Sequence, residues 1–172
     1  MVLATDMAMH AELTAQLFKR TCLSRAFDFS KRKDKSVFCN MILHAADISN
    51  AVRPFGQSKI ISIQLSEEFK MQAEVEVLRN LPVLPHMVLP RMIDVCLSEI
   101  SFLQTCAGPY WIALATCFST MHTTTAELQY NIDHWEQYLN ELQSNASSEV
   151  APVRILGSDG TDLSNEPELT PI

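Results

Sequence analysis

His44, Asp47 and Asn50 stand three residues apart in a stretch that is otherwise apolar, and with Asn40 they line one side of any helix built there. Burying Asp47 without a partner is costly, because a lone carboxylate in an apolar setting neutralises instead of staying charged. An ionised Asp47 in this position therefore calls for a cation or a metal ion. From the residues alone two readings stand side by side: a metal site, or an Asp and a His that satisfy each other by hydrogen bonding.

The element carrying this stripe should be a helix over about Ser36 to Ile48. Val37, Phe38, Met41, Ile42, Leu43, Ala45, Ala46 and Ile48 cover nearly its whole circumference, so it reads as buried. Leu3, Met7, His10, Leu13 and Leu17 recur at four and three and predict a helix over about residues 1 to 20, already running at its first turn, as in a chain that starts in mid-domain. Residues 21 to 35 read as a polar connection. A third helix is expected over about Gln57 to Asn80, with Ile61, Leu65, Phe69 and Gln72 on one face. Pro82, Pro85 and Pro90 forbid regular helix between Leu81 and Leu89. From Arg91 a long helix should end or kink at Gly108-Pro109, and a shorter apolar helix follows. Thr124 with Glu127 reads as a capping box before the stripe Leu128, Ile132, Trp135, Leu139, Leu142. Trp111 and Trp135 are core by spacing, and no β pattern of useful length occurs. The fold class expected is all-α. Residues 1 to 144 read as one domain or part of one, and residues 145 to 172, with three prolines and no aromatics, as a disordered acidic tail.

Composition removes several functions. The four glycines, Gly56, Gly108, Gly157 and Gly160, build no phosphate-cradling loop. The net charge is -7, of which the tail accounts for -4. The basic run from Lys19 to Lys35 is broken by Asp28 and Asp34 and has only Phe27 and Phe29 among it, so it reads as a solvated loop and not a nucleic-acid surface. Five cysteines form no CxxC pair and mostly sit in apolar runs, which suits a reducing, cytoplasmic setting. The charge-free stretch from 100 to 126 is interrupted by Gln104, Thr105, Gly108 and Pro109, so it reads as buried helix and not as a membrane span.

Several segments stand together: Val2 to Met7 with His10; His44-Ala45-Ala46-Asp47-Ile48-Ser49-Asn50 with Pro54; Glu67-Glu68-Phe69; Leu81-Pro82-Val83-Leu84-Pro85 with Met87; and Phe102. In this order and at this spacing the chain resembles class I cyclic-nucleotide phosphodiesterases, over about residues 1 to 140 and in the C-terminal half of that catalytic domain. The resemblance implies an all-helical domain that hydrolyses cAMP or cGMP to the 5′-monophosphate with two divalent ions, usually zinc and magnesium. It implies Asp47 as a metal ligand, Asn50 as a holder of the nucleotide, Asp6 and Met7 as lining of the site, and Leu65 and Phe102 as the apolar faces that clamp the purine. His10 and His44 either support the residues of the site from behind or are ordinary buried histidines, the latter favoured for His10.

Departures are equally specific. No histidine here is followed by Asn or Asp, so the family's remaining metal ligands and its general-acid histidine have no counterpart, and one Asp does not retain a zinc that takes about four ligands. Ser58 and Ile61 stand where the family often has Tyr and Trp beside the base. Glu99, three residues before Phe102, stands where the family has a glutamine. An ionised carboxylate only accepts hydrogen bonds, which suits the N–H edge of guanine and tilts the pocket toward cGMP; a decayed pocket is the other reading, and burial can restore a donor by protonating Glu99. Two functions stay open. The chain is the C-terminal part of a working phosphodiesterase, inactive by itself, or a non-catalytic helical scaffold that pairs with another phosphodiesterase subunit as a homo- or hetero-oligomer.

Overall fold

The computed structural model describes residues 2–22 and 27–149. Among the described residues six α-helices carry the fold: α1 His10–Cys22, α2 Arg32–Asp47, α3 Phe55–Leu78, α4 Met92–Ser101, α5 Gly108–Cys117 and α6 His122–Glu149. Short 3-10 turns lie before α1 and between α2 and α3, α3 and α4, and α5 and α6, and no strand occurs among the described residues, so the fold is all-α. The core is built where α1, α2, α5 and α6 meet. Leu17, Met41, Leu103, Leu114 and Trp135 are fully buried there, with Leu13, Ala45, Trp111 and Leu128 close behind. Each large side chain so buried contributes on the order of 1.5 to 3 kcal/mol. The Tyr110 hydroxyl of α5 donates to the Met41 carbonyl of α2 at 2.6 Å, fixing these two helices to each other through the centre.

Local chemistry moves several expected boundaries. The first helix does not run from residue 1. Asp6 is extended and its carboxylate accepts from the Ala8 N–H at 2.9 Å, so this capping bond breaks the chain between two 3-10 turns, Val2–Thr5 and Met7–Met9, the second of which runs straight into α1 at His10. The polar connection is shorter than expected, because α2 starts at Arg32; Arg25 lies outside the described residues. Arg20 pairs with Asp34 at 2.9 Å and lies 4.1 Å over the Phe27 ring, so this basic run is partly committed to packing. At α6 the capping box is replaced by the 3-10 turn Ser119–Met121, which feeds directly into the helix, and the Thr124 hydroxyl donates back to the Met121 carbonyl. The helix reaches Glu149, and residues 150 to 172 of the expected tail lie outside the described residues.

α4 and α5 are joined without a break by a π-helical turn, Phe102–Ala107. Pro109 lacks an N–H and its ring would collide with the carbonyl four residues back, and the wider π turn accommodates it where a kink was expected. Gly108 closes that turn. A Cβ there would lie 2.6 Å from the Leu103 carbonyl oxygen, so backbone approach demands glycine.

α3 presents an unexpected face inward. Its buried residues are Ser58, Ser62 and Ala73, whereas Ile60, Leu65, Met71, Val77 and Leu78 are exposed, Leu78 at 82%. Between the C-terminal end of α3 and residues 87 to 90 lies an apolar groove, lined by Ala73, Val77, Met87 and Leu89 among others.

Candidate active site

α2 is less deeply buried than its composition suggested. Met41, His44 and Ala45 are buried, but Cys39, Ala46 and Asp47 are exposed, because only one side of the helix meets α1 and α5. The polar stripe therefore divides. His44 is fully buried and Asp47, at the last turn of the helix, is open to solvent, so the two do not form the satisfied pair that was one alternative. His44 is bonded elsewhere: its Nδ1 lies 2.8 Å from the Ala4 carbonyl and its Nε2 lies 2.9 Å from His10 Nδ1.

Asn50 follows in the 3-10 turn Ser49–Val52. That turn is held from α6, where the buried Asn131 carboxamide donates to the Ala51 carbonyl at 3.0 Å and to the Arg53 carbonyl at 2.8 Å. Asn50 Nδ2 donates to the Ser62 hydroxyl at 3.0 Å, and the Ser62 hydroxyl donates to the Ser58 carbonyl at 3.0 Å. Glu99 of α4 lies beside Ser62. Burial pushes its carboxyl above the ordinary carboxylate range, and the neighbouring Ser62 hydroxyl opposes the shift only partly. Ser62 has one proton, already given to Ser58, so a protonated Glu99 that donates to Ser62 satisfies the group better than an ionised one that must compete for it. Asn50 Oδ1 and Glu99 Oε1 remain buried acceptors with no donor among the described residues.

The structure thus gathers Asn50, Ser62 and Glu99, with Leu65 one turn along α3 from Ser62 and Phe102 one turn beyond Glu99. Leu65 is 41% exposed and Phe102 is half-buried, so an apolar surface adjoins the polar cluster. Ser58 is fully buried, under this cluster and not on an open rim. Asp6 is exposed and occupied as a cap, and Met7 is exposed beside it. Sequence reasoning missed Ser62, Asn131 and Tyr110. The Ser58 and Ser62 spacing of four on an apolar helix was the available signal for the first; Asn131, amid the buried stripe Leu128, Ile132, Trp135, was that for the second.

The donor set does not fit a metal pair. Among the described residues no group of three or more His, Cys, Asp or Glu side chains comes together to hold an ion, and Asp47 is a single carboxylate. No step of the chemistry can be routed through metal ions held by these residues alone.

A family profile described as 3′5′-cyclic nucleotide phosphodiesterase matches residues 1–128. The chain belongs to this family. Among curated phosphodiesterases, it is 28% identical over 143 residues to the 3′,5′-cyclic-nucleotide phosphodiesterase regA of Dictyostelium discoideum, covering 83% of this chain and 18% of regA. It is 34% identical over 113 residues to the high affinity cGMP-specific 3′,5′-cyclic phosphodiesterase 9A of Drosophila melanogaster, covering 66% of this chain and 7% of that protein. In three dimensions it is similar to the phosphodiesterase domain of the Salpingoeca rosetta rhodopsin phosphodiesterase, with TM-score 0.79 and 26% identity, over 86% of this chain and 45% of that domain chain. The chain therefore spans under half the length of the phosphodiesterases it matches.

Proposed function

We propose that this chain supplies the nucleotide-side wall of a phosphodiesterase catalytic domain that hydrolyses 3′,5′-cyclic nucleotides to 5′-monophosphates. One observation carries the reading: two buried acceptors, Asn50 Oδ1 and Glu99 Oε1, have no donor among the described residues and stand beside the apolar side chains Leu65 and Phe102. A purine with N–H groups on its edge and two apolar faces answers both features. In this reading Leu65 and Phe102 clamp the ring, Asn50 and Glu99 orient it, and burial excludes water from those bonds. Asp6 and Met7 border the site, and Asp47 lends one carboxylate to a zinc and magnesium centre whose other ligands this chain does not provide. The free thiols of Cys39, Cys96, Cys106 and Cys117 suit the cytoplasm.

Glu99 sets the choice of base. Ionised, it accepts from guanine N–H groups and opposes the ring nitrogen of adenine; protonated, it offers a donor and an acceptor and serves either purine. The chain is inactive alone; once its metal site is complete, an ionised Glu99 favours cGMP and a protonated one serves both nucleotides. The purified chain, supplied with zinc and magnesium, is expected to leave both cyclic nucleotides intact; robust turnover would refute the incompleteness. In a protein with an intact metal site, Glu99→Gln should raise cAMP turnover relative to cGMP, and unchanged selectivity would sink the role of Glu99.

The exposed apolar residues of α3 favour a second reading, in which the chain is a non-catalytic scaffold pairing with another phosphodiesterase subunit. Recovery of the chain as a stable monomer with no associated subunit counts against it.

A further inference from the structure

We infer that His10 and His44 form a positioning dyad that carries two protons or three, and that the third proton is what ties the π-helical turn to the N-terminal segment. The dyad spans four segments. His44 Nδ1 meets the Ala4 carbonyl at 2.8 Å, His44 Nε2 meets His10 Nδ1 at 2.9 Å, and His10 Nε2 meets the Cys106 carbonyl at 3.1 Å. A carbonyl oxygen only accepts, so each outer contact needs an N–H, and the central contact needs one more. Three protons on four ring nitrogens make all three bonds and give the pair one positive charge.

Two protons make only two. With His44 Nδ1–H on Ala4 and His10 Nδ1–H on His44, His10 Nε2 turns a lone pair toward the Cys106 carbonyl. The reverse order saves the Cys106 bond and abandons Ala4. Thr14 decides between them. Its hydroxyl lies 3.4 Å from His10 Nε2 and now donates to the His10 carbonyl at 2.8 Å, so it can turn to serve an unprotonated Nε2. Among the described residues no hydroxyl is placed against His44 Nδ1 as Thr14 is against His10 Nε2; it meets the Ala4 carbonyl, and His44 is fully buried. The neutral pair therefore keeps Ala4 and releases Cys106.

The groups facing the pair add no counter-charge. Tyr110 of α5 packs against both rings, with centroids 5.5 Å from His10 and 5.1 Å from His44, and burial pushes its phenol far up. Burial also pushes the Cys106 thiol up, so both stay neutral. For His10 itself, burial lowers the imidazole, charge on His44 lowers it further, and the Cys106 carbonyl raises it. The sign follows. The folded chain binds this proton less readily than the unfolded chain, so the third bond forms only on the acid side of the ordinary histidine value and costs stability there.

The position of the dyad gives the proton its effect. Ala4 leads into Asp6 and Met7, His44 lies one turn before Asp47, and Cys106 is in the π turn that begins at Phe102. The proton joins or frees segments that, on the proposed function, border the site; the dyad chemistry itself stands on the fold and not on that reading.

Imidazole nitrogen resonances of the uniformly 15N-labelled chain, followed from pH 5 to 8, test this. His10 Nδ1 and His44 Nδ1 should carry protons throughout, while His10 Nε2 changes from protonated to unprotonated as pH rises. Thr14→Val removes the donor that serves the neutral state and should move that midpoint upward, with the fold kept. Histidine C2–H exchange read by mass spectrometry gives the same midpoint without resonance assignment. Independent titration of both rings, a proton on His44 Nε2 at neutral pH, or a midpoint unmoved in Thr14→Val overturns the inference; loss of activity alone supports nothing.

Discussion

Asn50 Nδ2 and Ser62 Oγ are joined at 3.0 Å, and through that bond a 3-10 turn held by α6 is locked onto the buried face of α3. Removing the hydroxyl leaves the Asn50 amide without its acceptor. Ser62→Ala should destabilise the chain by about 1 to 3 kcal/mol in urea unfolding and weaken nucleotide binding measured by calorimetry. A variant as stable as the parent, with unchanged affinity, counts against Ser62 as the organiser of the cluster.

Glu99 gives a pH dependence with a definite sign. Its folded-state value is raised, so the native chain holds a proton that the unfolded chain has released. That contribution is complete below the ordinary carboxylate value and is lost as pH rises through the raised one. Glu99→Gln, which keeps the shape without the ionisation, should gain stability relative to the parent across that window. Parallel stability curves for the two chains would show that Glu99 is not held neutral.

Gly108→Ala should be among the most damaging small substitutions. The added Cβ meets the Leu103 carbonyl oxygen at 2.6 Å, a backbone atom that has no rotamer to escape into. A loss on the order of 1 to 3 kcal/mol, or more, is expected from overpacking. Gly56→Ala is the control, since nothing lies within 4 Å of its Cβ position.

Tyr110→Phe deletes a single hydroxyl whose bond to the Met41 carbonyl measures 2.6 Å. About 1 kcal/mol should be lost in thermal or chemical unfolding, the usual net value of a buried hydrogen bond. Little change would mean that the Met41 carbonyl is satisfied by its own helix.

Asn131→Ala removes both donors that hold the Ser49–Val52 turn, to the Ala51 and Arg53 carbonyls. Two such bonds come to about 2 kcal/mol. Hydrogen exchange at the amides of Ala51 and Arg53 should accelerate more than exchange in α1; uniform acceleration would indicate global destabilisation only.

Much of the fold was legible because its helices repeat apolar residues with helical period: Leu13 and Leu17 in α1, and Leu128, Ile132 and Trp135 in α6, are buried as their spacing requires. α3 was legible as a helix but not in its orientation, because periodicity marks an apolar face without saying what covers it. Ile61 and Leu65 look outward, and two serines sit inward. The start of α1 was misread because one short side-chain bond, from Asp6, outweighs an apolar pattern. At the site, the family resemblance singled out Asn50, Glu99 and Phe102, but not Ser62, since a serine announces nothing until its neighbours are placed. The exposure of Asp47 was hidden for the same reason: the helix that looked apolar all round is covered on one side only.

The π-helical turn has a geometric consequence for everything N-terminal to it. It places one more residue in the turn than an α-helix would, between Glu99 and the core anchors Tyr110 and Trp111. Each residue of an α-helix advances about 100° around the axis. Deleting one residue from Phe102–Ala107, so that the segment winds as plain α-helix, would swing α4 about its axis by that angle while α5 stays fixed. Glu99 would leave α3 entirely. A single inserted residue thus acts as the phase setting of the site helix.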